Sequence, residues 1–392
     1  MSCRHRLDPR LRGDGNRLTR FQLVRMKRLF DWLERFDWIL LMSALALCAI
    51  GLVALFGIGV SLDPPELFTF HKQLVAAGLG CALVLGIALF DYRHLRTVSL
   101  PLYLVGIVLL TLVMFFGQSV RSTQGWFRFG NLSFQPVEIS KLLLVIYLAS
   151  LFARFGHGRL TWKTFGLTGT ATGLYVFLVM FQPDFGSAMV MIAAWGCMCL
   201  FIGLPRKAWI ILPTIVMLIT GLTWSIGLKP YQKARIATFL HPELDARGDG
   251  YNATQARIAI GSGGFLGKGI GEGSQARLRF LPEAATDFLF AVLGEELGFL
   301  GVTVVISLFF LLLYRYMRIA FESENDFAAL LLIGLSAIFL VHLLVNAGMN
   351  LGIMPITGIP LPFISAAASS VVVAFCSVGI AESVAARRRG QN

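Results

Sequence analysis

Three acidic residues stand out in this 392-residue chain because they occur where acids are expensive: Asp287, Glu295 and Glu296 lie at the head of a long apolar run. A carboxylate in a hydrocarbon-length segment costs several kcal/mol, about 2.5–3.5 on insertion scales, unless it is paired, hydrated or protonated. If Thr286 caps the helix that follows, Asp287 is its first helical residue, where the positive end of the dipole favours an acid. At 100° per residue Ala291, Gly294 and Gly298 share its face, with Glu295 beside it and Glu296 turned away toward an ion pair. That face suits close helix packing or a cavity. Asp287 is therefore the residue at which chemistry is expected.

The stretch before it, Gly250 to Thr286, is glycine-rich and basic. Gly261-Ser-Gly-Gly264 with Gly269, Gly271 and Gly273 offers backbone amides to a phosphate, and Arg257, Lys268, Arg277 and Arg279 supply positive charge around it. No Gly-Lys-Ser/Thr ending makes it a P-loop, and glycine richness alone describes only a loop. Two further constellations precede it. Glu138 and Lys141, three apart, either pair on one helix face or present charge to a ligand. Asp184, in Gln182-Pro-Asp184, caps the next helix or joins a site.

The elements that must position these residues are membrane spans. With 56% hydrophobic and 14% charged residues, the chain is a polytopic membrane protein. Its apolar runs recur at lengths that cross a ~30 Å core and lack a period of two, so they call for an all-α fold rather than a barrel. About ten spans result, the first over Trp38–Val60, the seventh over 209–226 and the eighth from Asp287 to about Tyr314. A large extracytoplasmic loop, 227–286, separates helices 7 and 8. Lys and Arg gather in the short loops of one side, including Arg315 and Arg318, which places both termini in the cytoplasm. Residues 1–35 form a basic N-terminal segment, 36–386 the transmembrane domain, and 387–392 a basic tail.

The net charge of +12 is spread over helix ends and loops, which excludes a nucleic-acid face. Cys48, Cys81, Cys197, Cys199 and Cys376 sit in apolar runs as small core residues, not as disulfides or metal ligands. His71 and His342 fit packing better than catalysis, and no His/Glu spacing calls for zinc. Asn346 and Asn350, four apart, share a helix face.

Taken in order, Gln135-Pro-Val-Glu-Ile-Ser-Lys141, Gln182-Pro-Asp-Phe-Gly-Ser187, Tyr231-Gln-Lys-Ala-Arg-Ile236, Tyr251 to Gly264, Leu281-Pro-Glu-Ala-Ala-Thr-Asp-Phe288, Glu295-Glu-Leu-Gly298 and Gly358-Ile-Pro-Leu-Pro-Phe363 resemble the SEDS family of RodA, FtsW and SpoVE. The likeness runs from about Phe36 to Ala385, and Phe70-His-Lys-Gln73 and Asp91-Tyr-Arg93 look more like RodA. The resemblance implies a peptidoglycan glycosyltransferase that polymerises lipid II at the outer face of the bacterial cytoplasmic membrane during elongation, with a class B penicillin-binding protein, the transpeptidase, as partner. It puts the family's essential acid on Asp287 and its paired glutamate and lysine on Glu138 and Lys141. The implied transfer inverts the anomeric centre, so Asp287 is expected to serve as general base or in a site for a divalent cation, magnesium or manganese, with no organic cofactor.

Three positions depart from the family pattern: Gly125 where an Arg precedes Trp126, Ala285 where a His is common, and Ala366-Ala-Ala368 where relatives carry Tyr-Gly-Gly. Arg121 or Arg128 can replace the missing guanidinium. Two other readings compete, a lipid II flippase and a non-catalytic scaffold for the transpeptidase. An acid at one rim of the membrane beside a basic loop favours the enzyme, because a flippase needs a charged path through the bilayer.

Overall fold

The computed structural model describes residues 35–120, 123–130, 132–155, 160–204 and 248–388, together with 207, 208, 238, 239, 241 and 245. The expected seventh span at 209–226, the motif 231–236, Arg121, the N-terminal segment 1–34 and residues 389–392 lie outside the described residues.

The membrane-spanning helices are α1 Trp38–Ser61, α2 Phe68–Leu89, α4 Ser99–Phe116, α5 Pro136–Phe155, α6 Trp162–Phe181, α7 Phe185–Ile202, α10 Leu289–Phe321, α11 Asp326–Asn350 and α12 Ala368–Arg388. Nine described helices are thus long and apolar enough to cross a membrane. Between them lie three short helices, α3 Arg93–Thr97, α8 Asp249–Ser262 and α9 Ser274–Arg277. Side-chain oxygens start several spans by capping their first amides: Asp37 for α1, Thr161 for α6, Asp184 for α7 and Asn325 for α11.

Helices α5, α11 and α12 are the most buried and form the centre of the bundle. The peripheral helices keep apolar residues such as Phe115 and Phe116 on their outer faces, as lipid contact requires. Helix α12 packs along α2, α10 lies against α11 and α1, and α7 against α11.

The fold differs from the sequence reading in five places. Residues 117–140, which the sequence presents as a polar outer loop, contain a three-stranded antiparallel sheet, β1 Gln118–Val120, β2 Thr123–Phe129 and β3 Leu132–Phe134, and the start of α5 at Pro136. Helix α10 begins at Leu289, so Asp287 lies in the preceding turn and Thr286 is not its cap. Gly298 has φ 65° and ψ −165°, which breaks α10 and removes it from the face of Ala291 and Gly294.

Arg315, finally, is no loop charge. It is buried within α10, donating from Nε to Asp37 Oδ1 at 2.9 Å and from Nη2 to Oδ2, while the Asp37 amide donates to Glu382 Oε2 at 2.8 Å. Arg387 likewise belongs to α12 and donates to the carbonyls of Ala88 and Leu89 at the end of α2.

Candidate active site

At the end of the bundle where α5, α7 and α10 begin, a crevice of about 330 Å³ opens between the sheet, the α10 turn and the segment 356–367. Asp287, Glu138, Lys141 and Asp184 all line it, brought together from three separate parts of the chain. Sequence spacing alone gave no such convergence.

Asp287 is 8% exposed, and its carboxyl lies beside the turn at Gly358. Its main chain is fixed from α11: the Asn346 and Asn350 side chains both donate to the Asp287 carbonyl, at 3.0 and 3.1 Å, and Asn346 also donates to Ile359 O at 2.8 Å. The shared face of these two asparagines therefore clamps the acid's backbone to the 358–360 turn. Glu283 arranges the other side of the turn, its carbonyl accepting from the amides of Thr286 and Phe288.

Glu138 and Lys141 form a buried pair one turn into α5, with Lys141 Nζ 2.9 Å from Glu138 Oε1. Lys141 Nζ also lies 3.0 Å from His342 Nε2, while His342 Nδ1 lies 2.9 Å from Pro360 O. Donation from Nδ1 to that carbonyl leaves Nε2 as an acceptor for the ammonium. His342, read from sequence as a packing residue, thus holds Lys141, and its distance of 201 positions along the chain hid the link.

Asp184 caps α7 through the Ser187 amide, at 2.9 Å, and accepts the Ser187 hydroxyl at 2.8 Å. Burial pushes its carboxyl above the ordinary range, against the lowering effect of those two hydrogen bonds.

The sheet brings in Arg128, which the sequence offered as a replacement for the missing guanidinium, and its neighbour Trp126. Trp126 and Arg128, two apart on β2, both line the crevice, as the period of a strand dictates. Opposite Arg128 in the register stands Ser133, which accepts from Lys72 of α2 at 2.6 Å. The Arg128 side chain therefore occupies the crevice near the place where Gly125 departs from the family pattern. Ala366 and Ala367 line the crevice too, and the Ala366 amide donates to Ala285 O at 2.9 Å.

The remaining sequence candidates lie elsewhere. Arg257, Lys268, Arg277, Arg279 and Glu295 do not line the crevice. In the glycine-rich flap the amides of Gly267, Lys268, Gly269 and Gly271 are already bonded within the protein. At the Gly298 break the carbonyls of Glu295 and Glu296 accept from Lys268 N and Gly269 N, both at 3.0 Å, while the amides of Phe299 and Leu300 donate to Gly264 O and Phe265 O at 2.9 and 3.1 Å. In an unbroken helix those four groups would bond to one another. The flap is inserted into the helix ladder.

Glycine is needed for this approach: Gly267 has φ 83°, and a Cβ there would meet Glu296 O at 2.1 Å. Glu295, fully buried, closes the joint by accepting from Lys268 Nζ at 2.7 Å, Ser274 N at 2.9 Å and Ser274 Oγ at 3.0 Å. Glu296 Oε1 accepts from the Gly271 amide at 3.0 Å rather than joining the ion pair expected of it.

Chemically, the crevice combines carboxylates with an ammonium and a guanidinium at a membrane boundary, which suits transfer of an anionic, lipid-borne group. Residues 37–390 match the FtsW/RodA/SpoVE family, described as a cell cycle protein family, and the chain belongs to it. It is 33% identical over 368 residues to the probable peptidoglycan glycosyltransferase FtsW of Trichlorobacter lovleyi, covering 90% of this chain and 94% of that one. It is 34% identical over 325 residues to the peptidoglycan glycosyltransferase MrdB of Escherichia coli K12, covering 81% and 86%.

Among solved structures, one chain of a peptidoglycan synthase complex that coordinates polymerization and crosslinking superposes with a TM-score of 0.78 at 30% identity, over 90% of this chain and 98% of that one. The rod shape determining protein RodA of Thermus thermophilus gives a TM-score of 0.66 at 28% identity, over 90% and 97%. The protein is a peptidoglycan glycosyltransferase that polymerises glycan strands in the membrane.

Proposed function

We propose that the crevice is the polymerisation site, that its substrate is lipid II, and that Asp287 is the general base. In this reading the acceptor sugar's hydroxyl oxygen attacks the donor's anomeric carbon. Its proton passes to the Asp287 carboxylate as the bond from that carbon to the pyrophosphate oxygen breaks, and the lipid pyrophosphate leaves with the electron pair. The anomeric centre inverts, so one base suffices and no covalent sugar intermediate is needed.

Lys141 and Arg128 meet the leaving group's charge, and Glu138 with His342 keeps the lysine aimed. The observation that supports this most directly is that Asp287 shares one crevice with the Glu138–Lys141 pair and Arg128.

Magnesium or manganese fits as an ion carried by the substrate. Among the described residues no three His, Cys, Asp or Glu side chains converge to hold a metal. Asp287 would be the carboxylate to hold such an ion, which would supply positive charge to the leaving pyrophosphate. Loss of activity on chelation and its return with the metal test this.

The crevice faces the outside of the cytoplasmic membrane and both termini face the cytoplasm, as the loop charges of the sequence favour. A class B penicillin-binding protein is the partner, supported by the likeness to a chain of a peptidoglycan synthase complex. The role is in elongation, supported by the RodA-like motifs at Phe70–Gln73 and Asp91–Arg93.

The deciding experiment gives labelled lipid II to the purified protein with its partner. Glycan polymer made by the parent and lost in Asp287→Ala supports catalysis. Bilayer crossing without polymer supports a flippase, and wild-type polymer from Asp287→Ala removes the base assignment.

A further inference from the structure

The inserted flap has a consequence for where the membrane surface lies. Between Glu296 and Arg315 helix α10 carries no charge, and this run, about 27 Å long at 1.5 Å per residue, matches a hydrocarbon core of ~30 Å. Phe299 and Leu300 sit in its first turn on the crevice side. Their amides are the ones that bond Gly264 O and Phe265 O, so the tip of the flap is held at the depth of that turn.

The tip is also apolar and uncovered. Phe265 is 66% and Leu266 73% exposed, and Phe265 stacks on the exposed Phe299 ring with centroids 5.9 Å apart. On the other side Ile270 meets Gly57 of α1, whose exposed neighbours Phe56 and Val60 continue the same belt. Exposed apolar residues thus flank the flap on both α1 and α10, with Lys268 the partly exposed charge between Leu266 and Ile270. Backbone entering hydrocarbon needs its polar groups satisfied, and the carbonyls of Gly263, Gly264 and Phe265 and the four groups at the Gly298 break are bonded here. Just beyond, at the level of Glu295, basic and exposed apolar residues alternate in Arg277-Leu278-Arg279-Phe280, a pattern suited to lipid phosphates over acyl chains.

We infer that the flap from Gly263 to Leu281 is embedded in the crevice-side leaflet, with Phe265 and Leu266 among phospholipid acyl chains and Arg277 and Arg279 at the headgroup phosphates. It is a lipid-binding wedge rather than a water-exposed loop, and this holds whichever residue serves as the catalytic base.

The test places a tryptophan at the tip of the full-length protein, Leu266→Trp, in vesicles of phosphatidylglycerol and phosphatidylcholine, and subtracts the parent's emission. Lipids brominated near the carbonyl end of the acyl chain should remove most of the added emission, while aqueous iodide should leave it. Phe265→Trp, with an unfolding midpoint matched to the parent, should behave alike and guards against a misfolded first variant. Added emission that iodide quenches and bromolipid spares overturns the proposal. Arg277→Glu with Arg279→Glu in the Leu266→Trp chain should weaken the bromolipid quenching, and unchanged quenching would remove the arginines from the headgroup layer.

Discussion

Asp287 and Glu295 sit eight residues apart on one stretch of chain, and the fold gives them opposite surroundings. Asp287 lies in a turn at the wall of a crevice, its backbone clamped by two asparagines and its side chain bordering space for a ligand. Glu295 lies inside a sealed joint, its oxygens taken up by Lys268, Ser274 and the Gln275 amide. Two acids that look alike in the sequence thus divide into one that faces a substrate space and one that fastens a loop to a helix. What separates them is where their donors come from.

The sharpest way to break the comparison is to remove each acid's charge in turn. Asp287→Asn should lower polymerisation by about 10²–10⁴-fold, the usual contribution of a general base, with an unfolding midpoint close to the parent's. A large loss of stability instead would make Asp287 another structural acid. Arg315→Leu, at the far end of α10, should do the reverse. Leaving Asp37 buried beside Glu382 costs about 3–5 kcal/mol, read as a lower midpoint in detergent, with polymerisation per folded molecule retained.

Glu295→Gln should destabilise by about 1.5–3 kcal/mol, because the Lys268 ammonium and the amides of the joint lose a charged acceptor, and activity per folded molecule should hold. Gly267→Ala should cost about 1–3 kcal/mol through the strain of φ 83° and the contact with Glu296 O, and should appear as faster proteolysis of the flap. Arg277→Ala should change the midpoint by no more than about 0.5 kcal/mol, since its pairing with Glu272 at 3.7 Å is exposed.

The spans were legible because apolar length is a local property, and the nine described ones fall where the runs predict. Glu138, Lys141 and Asp184 were legible as charged residues at span boundaries, and the family likeness marked Asp287, Glu138 and Lys141, but only the fold brings the four into one crevice. The glycine-rich flap misled because composition reports how freely a backbone can turn but not which carbonyls its amides will meet. Arg315 misled for a related reason. A cation at the end of an apolar run reads as a loop charge until its acid, Asp37, is found at the other end of the chain.

His342 and the two asparagines act through partners far away in sequence, and only the folded bundle brings them into reach. The strand carrying Trp126 and Arg128 was the one miss with a usable signal, their spacing of two.

The splice at Gly298 also constrains how the enzyme moves. Swinging residues 264–269 away would strand two carbonyls and two amides in a greasy environment, each at about 1–3 kcal/mol, so this segment is a rivet rather than a hinge. Motion that admits one long-tailed donor after another is then left to parts of the crevice outside this splice, the β-sheet wall among them.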